Sequence, residues 1–109
     1  MNYQEVLEDA CKRYEEAVSA LAVSESAYKD LDSQVKTKLA EAYNRAIGTS
    51  SKEREMLALS DETYRDWLSV VSLARATYLK DRSCRDIQEK RWDTARSSLS
   101  MEKAKTRIL

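Results

Sequence analysis

Apolar residues recur every seventh position along the first half of the chain, at Leu7, Tyr14, Leu21, Tyr28, Val35 and Ala42. A second series of the same period runs through Tyr64, Val71, Tyr78, Arg85, Trp92 and Leu99. A seven-residue repeat keeps one seam against a partner helix only where the backbone is helical without a break. Proline is absent, and the one glycine, Gly48, lies between the two series. The pattern therefore predicts an all-α fold: an antiparallel hairpin of two long helices with a short helix at the turn. Residues 1–109 form a single domain in this reading, with helices over 2–47, 52–59 and 61–107.

Local signals place the helix ends. Asn2 with Glu5 three residues on matches a capping box, and so does Ser50 with Glu53. The first helix adds Ala10, Ala17, Val18 and Leu31 to its seam. Later Leu39 and Ala46 take over while Lys38 and Arg45 fill the former slot, as in nearly straight helices. Gly48 is expected in the left-handed conformation that follows a helix end. Met56, Leu57 and Leu59 of the short helix are expected to plug the open end of the hairpin. Ser60 is the expected N-cap of the last helix, with Asp61 and Glu62 in its first turn.

The last helix is richly apolar at first, with Tyr64, Trp67, Val71 and Tyr78 on or beside its seam. From residue 80 to residue 91 only Cys84 and Ile87 are apolar, before Trp92, Ala95, Leu99 and Met101 resume the stripe. Arg85 sits on the seam itself, to reach an acidic side chain of the first helix or to extend outward on its aliphatic stem. Val23, Val70 and Leu73 fall outside the seam. Burial at ~25 cal/mol per Å² must outweigh the entropy of ordering every residue, which a thin two-helix rod does poorly. The pattern thus predicts self-association, a homodimer or larger, into a helical bundle.

Charge is balanced, with 19 basic and 19 acidic residues, so nothing in the total draws the chain to nucleic acid or to an anionic membrane. The N-terminal end is acidic (Glu5, Glu8, Asp9, Glu15, Glu16) and the C-terminal end basic (Arg96, Lys103, Lys105, Arg107). In an antiparallel hairpin these ends meet. Facing positions there have numbers summing to about 108, which sets Cys11 near Ser97 and Cys84 near Ser24, too far apart for a disulfide. Both cysteines are expected as small buried residues in a reducing compartment. No apolar run spans a bilayer, and the N-terminal residues lack the blocks of a signal peptide. A cytoplasmic protein without a membrane partner is the expectation.

The inventory argues against catalysis. Histidine is absent, and one glycine rules out phosphate-cradling loops and the dinucleotide fingerprint. Glu15, Glu16, Glu25 and Asp32 fall mostly beside or away from the seam, so a di-metal site is not expected, nor is any cofactor. For nucleic acid the candidate contacts are Lys80, Arg82, Arg85, Lys90, Arg91 and Trp92, diluted by Asp81, Asp86 and Glu89. For a protein partner the candidate anchors are Trp67 and Trp92, although a tryptophan at seam spacing is more often core.

Around the turn, Gly48-Thr49, Lys52-Glu53-Arg54-Glu55 and Leu57-Ala58-Leu59-Ser60-Asp61-Glu62 resemble a group of small all-helical bacteriophage proteins. Ala74, Tyr78 and Arg96-Ser97-Ser98-Leu99 are similar in kind. Members of the group are often encoded beside recombination or single-strand-binding genes. The resemblance implies an accessory role in phage DNA recombination or replication, in the host cytoplasm, with a recombination or replication protein as partner. A purely structural assembly or adaptor protein without nucleic-acid affinity is the alternative. A second group, secreted helical hairpins with a Trp-x-Gly turn, is similar in size, but Ala46-Ile47-Gly48 lacks its tryptophan.

Overall fold

A computed structural model describes residues 2–108. Its elements are α1 (Tyr3–Ser33), α2 (Val35–Arg45), α3 (Ser51–Leu59) and α4 (Glu62–Ile108), and the described residues contain no strand. Contacts divide the chain into a terminal unit, the chain up to Val23 with that from Leu79 onward, and a central unit, Ser24–Tyr78.

Helix starts follow the capping chemistry, with one correction. The Asn2 side-chain oxygen accepts the Glu5 N–H at 2.8 Å, and the Asn2 amide returns a bond to the Glu5 carboxylate at 3.4 Å. Ser50 Oγ accepts the Glu53 N–H at 3.2 Å. The Glu53 carboxylate reaches back to Thr49, accepting from its N–H and hydroxyl at 3.2 and 2.9 Å. Ser60, however, does not cap α4. Its hydroxyl lies 3.1 Å from both the Met56 and Leu57 carbonyls at the end of α3, where the Met56 carbonyl also accepts the Ser60 N–H at 3.2 Å. Asp61 caps α4 instead, accepting the Tyr64 N–H at 2.9 Å.

Asp61 also clamps α2. Arg45 donates to its two carboxylate oxygens at 3.2 and 2.8 Å. The Arg45 guanidinium first, then the Tyr64 N–H, hold the Asp61 carboxyl below the usual aspartate range. A carboxyl depressed by folding stabilises fully above its unfolded value, and that contribution disappears as pH falls through the folded one. Acid titration of unfolding should therefore show a smaller loss of stability in Asp61→Asn than in the wild type. Equal acid dependence in the two proteins would mean that the clamp does not form in solution.

The first long helix is interrupted rather than continuous from 2 to 47. At Gln34 the backbone leaves the α ladder: its N–H bonds to the Leu31 carbonyl at 3.3 Å. Three side chains compete for carbonyls just before the break. Ser33 Oγ and Gln34 Nε2 donate to the Asp30 carbonyl at 2.7 and 3.4 Å, and the Trp67 indole donates to the Leu31 carbonyl at 3.3 Å. Side chains that take i−3 or i−4 carbonyls loosen or kink a helix in this way. Trp67→Phe keeps an aromatic ring but removes the donor and part of the half-buried indole, so it should cost at least about 1 kcal/mol and raise amide protection near Gln34. Unchanged exchange at Gln34 would show that the indole bond does not hold the break.

α2 ends at Arg45, where Ala46 turns extended (φ −70°, ψ 133°). Gly48 does not adopt the expected left-handed conformation; no residue described has positive φ. It is small for another reason. A Cβ there would sit 2.8 Å from Arg54 Cγ and 3.2 Å from the Arg54 backbone nitrogen. Arg54 is held in turn, its guanidinium 4.4 Å from the Tyr43 ring centre and donating to the Tyr43 carbonyl at 3.1 Å. Gly48→Ala should thus push Arg54 out of place and lower Tm, with Arg54→Ala in the same background adding little further loss.

The central unit has its core where α2 meets α3: Ala42, Ala58 and Tyr64, with Val35, Leu39 and Tyr43 packed on them. Ala58 is fully buried, whereas Met56, Leu57 and Leu59 are exposed. The expected apolar plug is therefore reversed. The smallest side chain of α3 faces α2, allowing close approach, and the larger ones point to solvent. In the terminal unit Ala10, Ala17, Leu21 and Ala95 are buried. Cys11 is half-buried and Cys84 exposed, both free thiols, so the expectation of two buried cysteines fails at Cys84. Burial and the adjacent Glu15 carboxylate push the Cys11 thiol up, keeping it protonated at neutral pH.

Candidate interaction surfaces

The residues proposed for nucleic-acid contact all lie on α4 in the terminal unit, and the helix distributes them around its circumference. Arg85 and Trp92, seven apart, occupy the half-buried seam. Lys80 and Arg91 share an outer face, with Arg82 and Lys90 on others. Arg85 bonds Asp86 on its own helix at 2.8 Å rather than a residue of α1, and its side chain is one-third exposed. That bond raises its pKa further above the range where it could lose its charge.

Trp92 is engaged on its ring faces. Tyr14 stacks against it at 5.2 Å between centroids and 22° between planes, and the Arg96 guanidinium lies 4.2 Å from its ring centre. Arg96 is itself ion-paired to Asp93. A base could stack on Trp92 only by displacing one of these partners. In the central unit Tyr28 stacks on Tyr78 at 5.6 Å, and Lys38 lies 4.7 Å from the Trp67 ring centre. The proposed anchors Trp67 and Trp92 are both half-buried and held by aromatic or cation contacts.

The remaining seam positions are all withdrawn from solvent: Leu21, Tyr64 and Val71 buried, and Leu7, Tyr14, Tyr28, Val35, Tyr78 and Leu99 half-buried. Polar residues occupy the companion row. Ser24 is buried, and Lys38, Asp81 and Gln88 are half-buried, the Gln88 side-chain oxygen having no hydrogen-bond partner. Strict alternation of three- and four-residue steps marks these positions, but polarity hid all of them except Lys38. Arg54 and Tyr43 were likewise illegible, because an arginine inside Lys-Glu-Arg-Glu reads as solvated surface.

Each unit carries a surface groove. In the central unit Leu39, Ala40, Tyr43, Ala58 and Leu59, with Lys36, Asn44 and Glu55, line an open and largely apolar one of about 460 Å³. In the terminal unit a more polar groove of about 530 Å³ runs past Asp9, Arg13, Glu16, Ala20, Cys84 and Gln88. Among the described residues no cluster of three or more His, Cys, Asp or Glu could hold a metal ion. No helix among them is long and apolar enough to cross a membrane.

No family model, curated protein or solved structure matches the chain.

The apolar side chains left uncovered are the most informative surface feature. Val23 and Leu73 are 72% and 71% exposed, and Val70 and Ile87 about half exposed. Isolated apolar residues on a surface are ordinary, but these recur at helical spacing in a chain that is 35% charged.

Proposed function

We propose that the chain is a non-enzymatic helical protein that acts by binding, first to itself. Its long helices form an antiparallel hairpin, and copies of the hairpin associate into a bundle that presents a surface to a further protein. The observation that carries this reading is the exposure of Val23, Val70, Leu73 and Ile87 while the inner seam is already filled. The register supports the hairpin. Tyr14 with Trp92, Tyr28 with Tyr78, and Arg45 with Asp61 all have numbers summing to 106. Matched in reverse order, every position of the first seven-residue series has a counterpart in the second at that same sum, a small shift from the 108 expected of the sequence.

Solution mass as a function of concentration tests the proposal. A mass at least twice 12.5 kDa at micromolar concentration is expected, falling on dilution. A constant mass of 12.5 kDa would overturn it.

A nucleoprotein role, serving phage recombination or replication, is the second reading. It is favoured by the exposed Lys80, Lys90 and Arg91 and opposed by the occupied ring of Trp92. It predicts single-stranded DNA binding that weakens steeply with salt and is lost on charge reversal at Arg82, Lys90 and Arg91. Absence of binding at low salt would leave an assembly or adaptor protein.

A further inference from the structure

The apolar groove of the central unit has a ridge beside it. Leu39, Ala40 and Tyr43 form its α2 side, and Leu59 borders it on the α3 side. Leu59 is 57% exposed, and Met56, three residues earlier and adjacent on the helix surface, is 65% exposed. Ala40, one turn after Lys36 and one turn before Asn44, is exposed and short, and it keeps the groove open between them. Tyr43 is held in place, with the Arg54 guanidinium 4.4 Å from its ring centre and bonded to its carbonyl. That wall is therefore preformed, and filling the groove costs no further ordering of the Tyr43 ring.

We infer that the groove is filled by Met56 and Leu59 of a second copy of the chain, whose own groove takes the same ridge of the first. This rests on the self-association reading above and gives it a face and a register. Every residue involved belongs to the central unit. A two-fold contact requires one patch to present both the projection and the hollow. Here both stand side by side on α2 and α3.

Charge favours a second copy as the occupant. Lys36 on α2 and Glu55 on α3 border the groove, and both are exposed. Among the described residues neither is ion-paired within its own chain. A two-fold axis midway between them sets Lys36 of each copy opposite Glu55 of the other, two opposite-charge pairs per dimer. An axis through either residue would set lysine on lysine or glutamate on glutamate, which opposes association. The midway axis also lays the α3 side of each patch on the α2 side of the other. Leu59 of each copy thereby comes onto the side of the other's groove formed by Leu39, Ala40 and Tyr43.

The test uses two full-length variants, Lys36→Glu and Glu55→Lys. Each turns both ion pairs into like-charge contacts, so each alone should associate at least about tenfold more weakly than the wild type in sedimentation equilibrium. Mixed in equal amounts, the two restore both opposite-charge pairs, and a heterodimer of wild-type strength is expected. Wild-type helix content in each variant shows that the fold is intact. Leu59→Ala, nearly neutral for a single copy, should also weaken association by about tenfold, because each dimer buries two of these side chains.

Single variants that associate as the wild type does, or weakened ones whose mixture is not restored, would overturn this contact and leave self-association standing. A wild type that stays at 12.5 kDa would overturn both.

Discussion

Replacing Trp92 with alanine is expected to destabilise the terminal unit by about 2–4 kcal/mol. The estimate sits below that for a fully buried tryptophan because Trp92 is half-buried. Two contacts go with the ring: the stack on Tyr14 and the cation contact with Arg96. Aromatic pairs contribute about 0.5–1.5 kcal/mol beyond the area they bury. A double-mutant cycle with Tyr14→Ala should return a coupling of that size. Little else in the terminal unit could compensate, since its other buried residues are mostly alanines. Thermal unfolding of the four proteins in the cycle is the measurement. Additive losses would show that Tyr14 and Trp92 do not stack in solution. A near-zero effect of Trp92→Ala alone would mean that this segment is not packed.

Enlarging Ala58 to leucine is the second large effect, opposite in mechanism. Ala58 has no exposed surface and faces Ala42, itself 1% exposed, so α3 lies directly against α2. Overpacking a site of this kind costs about 1–3 kcal/mol, and more where the backbone cannot yield. Here the backbone yields by detaching α3, so the damage should be local. Amide exchange should accelerate through residues 51–59, while the terminal unit keeps its protection. Leu59→Ala is the control: its side chain is mostly exposed, and its loss should cost less than about 1 kcal/mol. If Ala58→Leu were as mild as the control, α3 would not be docked on α2.

These two sites differ in how far they could be read from the chain. Trp92 and Tyr14 stand on the seven-residue series, so their burial follows from period alone. Ala58 stands among Met56, Leu57 and Leu59, and period cannot say which residue of a short helix faces inward. Hydrophobicity favours the larger side chains; the distance between α2 and α3 favours the smallest. Gly48 teaches the same lesson. Its position after a helix end suggested a left-handed turn, yet the constraint is the passage of Arg54, a residue on another element.

Helix content, the breakpoint near Gly48, the capping boxes at Asn2 and Ser50 and the apolar positions of the seam were determined by the sequence. All of these rest on interactions between residues within a few positions of one another or on a simple repeat. Tertiary structure decided the exchange of capping roles between Ser60 and Asp61 and the choice of Ala58 for the core, and at Gln34 it added the Trp67 bond to two local ones. Each depends on a partner far along the chain: the Trp67 indole at Leu31, the Arg45 guanidinium at Asp61, the face of α2 at Ala58. Such partners are brought together only by folding, and one hydrogen bond or one methyl group of space then selects among arrangements that local preference leaves nearly equal.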